Sequence, residues 1–312
     1  MNIENDGLQD RAIVGKAGDL LDRTPFVENL VRALVAERGN AKKKLIGHVA
    51  TGNVVGLTGA WGLGKSSIMS MTAEQLREMK NVVAVVFNPW LFSGRDELLE
   101  GFFGELRQSI GSTPGQTARA LRDQVDRYWG VISFAAKTGA VALSALSGDP
   151  SAVSGGAANI DDLKPGPSKP RSAMQERSDL EKKLLASNLA VVVLIDELDR
   201  LEDQEVRAVA QLVKAVGEIR GISYLVAYEP GRVAAALGRG EGQARIESGE
   251  RYIEKIIQHP IPVRPLFYDD VEKLLQLALA GRSENLPEPD DEQVKILESL
   301  KAAIRTPREV SR

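Results

Sequence analysis

The chain has 312 residues, 43% hydrophobic and 27% charged, with a formal net charge of −3. That is ordinary globular composition with length for one large or two ordinary domains, and the charge gives no overall pull toward nucleic acid or an anionic membrane. The absence of cysteine excludes disulfides, cysteine-ligated zinc and thiol nucleophiles, and the two isolated histidines, His48 and His259, do not make a metal site.

The N-terminal stretch lacks the basic-then-apolar layout of a signal peptide, so a cytoplasmic location is the expectation. A first helix is expected from Thr24, with Phe26, Leu30, Leu34 and Val35 at helical spacing. Thr24 would cap it, Pro25 would take its first position and Glu28 would lie in its first turn. Phe26 either touches a bound base or packs in the core. Lys42-Lys43-Lys44 reads as solvated surface. Val54 to Thr58 is a short apolar run that reads as a buried strand, and Ile68, Met69, Thr72, Ala73, Leu76 and Met79 read as a helix. Between them lies Gly59-Ala60-Trp61-Gly62-Leu63-Gly64-Lys65-Ser66, followed by Ser67, a full match to the phosphate-binding G-x-x-x-x-G-K-[ST] pattern in its required strand-to-helix context. Glycines there let successive N–H groups line one concavity at a helix N-terminus. Lys65 is expected on the β- and γ-phosphates and Ser66 on Mg²⁺, so the chain is expected to bind ATP.

Val82 to Phe87 is a second apolar run, of the kind that suits an interior strand of a parallel sheet covered on both faces. It exits into Asn88-Pro89-Trp90-Leu91-Phe92, where Trp90 is expected to anchor the next helix, with Leu98, Leu99, Phe102, Phe103 and Leu106 on one face. Residues 131–147 are apolar but interrupted by Lys137 and shorter than the roughly 20 apolar residues that span a bilayer. They read as a buried or partner-facing helix, with a degenerate membrane hairpin as the alternative. Residues 148–172, thick with Gly, Pro and Ser, read as a flexible loop. A helix over about 173–187 precedes a strand, Leu189 to Ile195, whose end delivers Asp196 and Glu197 side by side. Asp196 suits a Mg²⁺ contact and Glu197 a general base for the attacking water. A further helix carries Val206, Val209, Leu212, Val213 and Val216. Ile222 to Ala227 forms a fourth strand whose tip, Tyr228-Glu229, can offer a polar group to the γ-phosphate or the water.

The P-loop, the FNPWLF stretch, the VVLIDELDRL strand, Tyr252 to Gln258 and the closing Thr306 to Arg312 segment together resemble the KAP family of P-loop NTPases. The IDELDRL string is also similar to AAA+ initiator and clamp-loader ATPases. The resemblance implies an α/β fold: a three-layer, doubly wound parallel sheet of the additional-strand division, order 5-1-4-3-2, with an insertion between strands 2 and 3. One domain over 1–312 is expected, with a core of about 20–110 and 173–265, an insertion of about 111–172 and a C-terminal helical part, 266–312, that continues in longer members. It further implies Arg308 at the place of an arginine that reads the γ-phosphate. A helix-capping role for Arg308 is the alternative. Arg200, just behind the acids, is expected either to pair within its own chain or to complete a neighbour's site in an ATP-promoted homo-oligomer.

The activity this implies is Mg²⁺-dependent ATP hydrolysis driving a conformational switch, in bacterial antiviral defence, with a protein partner or effector encoded nearby. No membrane span is expected. A DNA-handling ATPase, recognisable by DNA-stimulated turnover, and a non-hydrolysing ATP-binding scaffold are the alternatives. Lys65, Ser66, Asp196 and Glu197 together argue against the scaffold, since a pure binder needs no base.

Overall fold

The computed structural model describes residues 18–38, 47–137, 173–279 and 291–311. The expectations for Lys42–Lys44, for residues 138–147 and for the flexible loop 148–172 fall outside them. Helix α1 (Thr24–Leu34) leads into an antiparallel ribbon of β1 (Val35–Arg38) and β2 (Gly47–Ala50). Sequence periodicity carried the helix on through Val35. The chain instead turns extended there, and Asp19, not Thr24, caps α1: its carboxylate accepts from the backbone N–H of Arg23 and Thr24 at 2.9 and 2.8 Å.

The central sheet contains β3 (Val54–Thr58), β4 (Val82–Phe87), β5 (Ala190–Ile195), β6 (Ile222–Tyr228) and β7 (His259–Pro262), all parallel, in the order β4-β5-β6-β3-β7. Counted from the P-loop strand β3, that is the expected 5-1-4-3-2. Every residue of β5 and β6 is buried. The two faces separate with period two: Val191, Val193 and Ile195 of β5 point into one core cluster, and Ala190, Val192 and Leu194 into the other. The second cluster is completed by α1 and α2 (Lys65–Glu78), and Phe26 packs at its edge. The first holds α3 (Arg95–Gly111), α4 (Gln116–Lys137), α5 (Ala173–Ala186) and α6 (Asp203–Val216). Leu121, Val125, Tyr128 and Ile132 recur every three or four residues along α4, so this helix joins the main core rather than standing off it. Among the described residues, no helix is long and apolar enough to cross a membrane.

Trp90 does not anchor α3. It is 52% exposed, and Phe92 takes that part: its ring stacks on Phe87 with centroids 5.6 Å apart and lies against Gly101 of α3. The short helical turn Pro89–Leu91 shifts the phase by two residues.

Beyond β6, α7 (Pro230–Leu237) and α8 (Gly242–Ile253) pack with their backbones in contact. A Cβ on Gly249 would lie 1.9 Å from the carbonyl oxygen of Ala234. Gly249→Ala should therefore push the helices apart, at a cost of about 2 kcal/mol or more, and lower Tm by about 4–8 °C. Gly130→Ala, on the exposed side of α4 with open space around it, should instead hold or raise Tm, since alanine favours helix by about 0.5–1 kcal/mol. Thermal unfolding of the two variants checks both signs. Three more helices, α9 (Tyr268–Leu279), α10 (Asp291–Ala303) and α11 (Pro307–Ser311), follow β7.

Candidate functional site

The site forms where β3, β5 and β6 end. After Thr58 the chain runs Gly59, Ala60 and Trp61 into Gly62 and Gly64, whose φ values of 86° and 85° aim the loop's backbone inward. Gly64 is the N-cap of α2, so Lys65, Ser66 and Ser67 open a helix whose free N–H groups face the loop. Behind it, Arg23 is 7% exposed and donates to the carbonyl of Leu63 at 2.7 Å, bracing the loop from the side of α1.

Lys65 is 8% exposed. Its ammonium donates to the carbonyls of Gly59 at 2.8 Å and Ala60 at 3.3 Å, and its third contact is the carboxylate of Asp199 at 2.9 Å. The Ser66 side chain lies close enough to Asp196, at the end of β5, to act on its charge. Burial raises the Asp196 carboxyl above its ordinary value, partly offset by the hydrogen bond from the Glu197 N–H, at 2.8 Å, and by Ser66. Hydroxyl and carboxylate are the hard oxygen donors that Mg²⁺ takes beside substrate phosphates, so the residues present fit that ion.

Glu197 has φ 62°, in the left-handed region. Among the described residues four non-glycine positions have positive φ, and the other three are Asp or Asn, the types that tolerate it best. This conformation is what re-aims the chain after β5 into a short helical turn, Leu198–Arg200, that returns Asp199 to the P-loop. Both oxygens of Glu197 are held: Asn88 donates to Oε2 at 2.5 Å, and Arg200 lies 2.9 Å from Oε1. Arg200 also sits over the Trp90 ring, 5.8 Å from its centroid. Of the two expectations for Arg200, the structure therefore displays the pairing within its own chain.

The tip of β6 differs from expectation. Tyr228 is buried in the core, where desolvation pushes its phenol up to about 12. The Glu229 carboxylate caps α7 instead, accepting from the N–H groups of Gly231 and Arg232. At the other end of the chain, Thr306 and Arg308 lie over the P-loop: a Cβ on Gly62 would meet Thr306 Oγ1 and Arg308 Cβ at 3.1 Å. Arg308 stacks on Trp61, 4.0 Å from the ring centroid, while Glu309 supplies the cap to its helix by accepting from Arg305 N–H at 2.6 Å. Sequence reasoning missed Arg23, Asn88 and Asp199. Asn88 had a signal in its place at the end of an apolar strand; Asp199 and Arg23 had none beyond their residue types.

In an alignment 286 positions long that covers 83% of this chain, it is 27% identical to the phage T7 exclusion protein of Escherichia coli K12, and it spans 37% of that relative's length. Among solved structures it is similar to a Walker-type ATPase of Pyrococcus abyssi, at 14% identity and TM-score 0.45, covering 97% of this chain and 69% of that one. It also matches the Orc1 protein of Aeropyrum pernix in complex with DNA, at 13% identity and TM-score 0.35, covering 96% and 59%. The sequence pattern of the KAP family P-loop domain matches residues 23–312, and the chain belongs to that family.

Proposed function

We propose that this domain binds ATP with Mg²⁺, hydrolyses it slowly and uses the cycle as a conformational switch in phage defence. The observation that carries the reading is the closeness of Ser66 and Lys65, at the start of α2, to the Asp196 carboxylate, which brings hydroxyl, ammonium and carboxylate to one helix N-terminus. Lys65 and the loop N–H groups from Gly59 to Ser67 would hold the phosphates, and Ser66 with Asp196 would hold Mg²⁺. Bound there, the ion would neutralise charge building on the phosphoryl oxygens. Glu197 is the base in this reading. Asn88 on one oxygen and Arg200 on the other would compete with the attacking water for Glu197 and weaken it as a base, which would make turnover slow.

In this reading Arg308, stacked on Trp61 above the loop, responds to a ligand beneath it. A cation there would bind ATP better than ADP, because the third phosphate supplies the charge it pairs with. Arg200, 48% exposed beside the 52% exposed Trp90, also lies on a face open to a second copy of the chain. Specific activity that rises with protein concentration would support ATP-promoted assembly, and flat activity with only monomer in ATP would leave Arg200 to its own Glu197.

The role in phage defence rests on the exclusion protein's similarity, with a partner encoded nearby as the output. Its test is infection of bacteria expressing the full-length protein. Phage plating should be reduced by the parent and restored by Lys65→Ala. Equal plating on empty-vector, parent and variant cells would remove defence while leaving the ATPase reading to the biochemical tests.

A further inference from the structure

Resting on the reading of the P-loop as a nucleotide site, we propose that Asp199 is a positioning residue: it competes with phosphate for Lys65 and passes the release of that lysine to the α7–α8 pair. The Asp199 side chain is 13% exposed and each of its oxygens is committed. Oδ2 lies 2.9 Å from Lys65 Nζ, and Oδ1 accepts from the backbone N–H of Glu229 at 2.6 Å. Lysine has three donors, and here Gly59, Ala60 and Asp199 occupy them. A phosphate oxygen must displace one of the three. Asp199 is the partner whose loss matters electrostatically, because it alone carries charge.

Losing Lys65 leaves the Asp199 carboxylate in a poorly solvated place with the Glu229 N–H as its remaining described bond. That N–H belongs to the residue that caps α7. From α7, Arg232 reaches Asp203 Oδ1 at 2.7 Å and the carbonyl of Leu201 at 2.6 Å, and Arg245 of α8 reaches the other oxygen of Asp203 at 2.7 Å. Hydrogen bonds, several of them between charges, thus run from the P-loop lysine to α8, with backbone contact between Gly249 and Ala234 tying the two helices together. The two-state element is the choice of partner by Lys65. Asp199 can sense it because the left-handed turn at Glu197 folds it back against the loop.

A latch that is closed nine-tenths of the time raises an apparent Kd about tenfold. Calorimetric titration of the full chain with Mg²⁺–ATPγS should accordingly show Asp199→Asn and Asp199→Ser binding about 10-fold more tightly than the parent. Asp199→Glu, which keeps the charge, should stay within about threefold of the parent. Hydrogen exchange over residues 229–253 should change when saturating nucleotide is added to the parent, and should no longer change in Asp199→Asn. Parent-like or weaker binding in both uncharged variants, with parent-like thermal unfolding, overturns the competition. An exchange response in Asp199→Asn equal to the parent's overturns the relay. A parent that binds no nucleotide fails at an earlier point, the P-loop reading itself.

Discussion

Lys65→Ala is expected to weaken ATP binding by about 100-fold or more, since truncating one member of a desolvated charge pair costs about 2–5 kcal/mol and 1.4 kcal/mol is tenfold. The lysine is 8% exposed, so water does little to screen its charge, and no other Lys or Arg side chain is found to pair with Asp199 among the described residues. ADP should weaken as well, because the ammonium reaches the β-phosphate too. The same substitution strands the Asp199 carboxylate, so the variant should also unfold earlier. These effects separate in one further variant. Adding Asp199→Asn removes the stranded charge and should restore much of the thermal stability while leaving ATP affinity low. Binding and unfolding measured on the single and double variants check this. An ATP Kd for Lys65→Ala within threefold of the parent would remove Lys65 from the site.

The parts of the molecule legible in the sequence are those set by local pattern. The P-loop announced itself because its glycines, its lysine and its flanking strand and helix are contiguous, and the strands because runs such as Val191 to Ile195 are apolar on both faces. The order of the sheet came with the family resemblance. What stayed hidden depends on register and on single dihedrals. Asn88 meets Glu197 because β4 pairs with β5 so that Phe87 lies opposite Ile195, which sets the residues after each strand side by side. Asp199 meets Lys65 because Glu197 adopts a conformation that its residue type does not advertise. Phe92 replaces Trp90 as the anchor through one short turn. The β1–β2 ribbon was hidden for a different reason: Val35 continues the helical spacing of α1, and a four-residue strand is too short to carry its own period.

Glu197→Gln should lower ATP turnover by about 10²–10⁴-fold, the range for loss of a general base, while nucleotide affinity stays within a few-fold of the parent. The substitution keeps length and shape, and Lys65, Ser66 and Asp196, the groups assigned to phosphate and metal, remain in place. Its side effect follows from the hydrogen bonds. The carboxylate satisfies two donors, Asn88 on Oε2 and Arg200 on Oε1, whereas glutamine has one acceptor oxygen and turns an N–H₂ group toward the other donor. Asn88 cannot resolve the conflict by flipping, because its own Oδ1 accepts from the N–H of Trp90 at 3.1 Å. Arg200, 48% exposed, can swing to solvent. The loss of stability should therefore be small, about 1 kcal/mol, and should vanish in the Arg200→Ala background. Turnover at saturating Mg²⁺–ATP, with affinity and unfolding measured alongside, distinguishes this from general damage: a damaged site loses binding with rate, whereas a missing base loses rate alone. Parental turnover in Glu197→Gln would show that some other group activates the water.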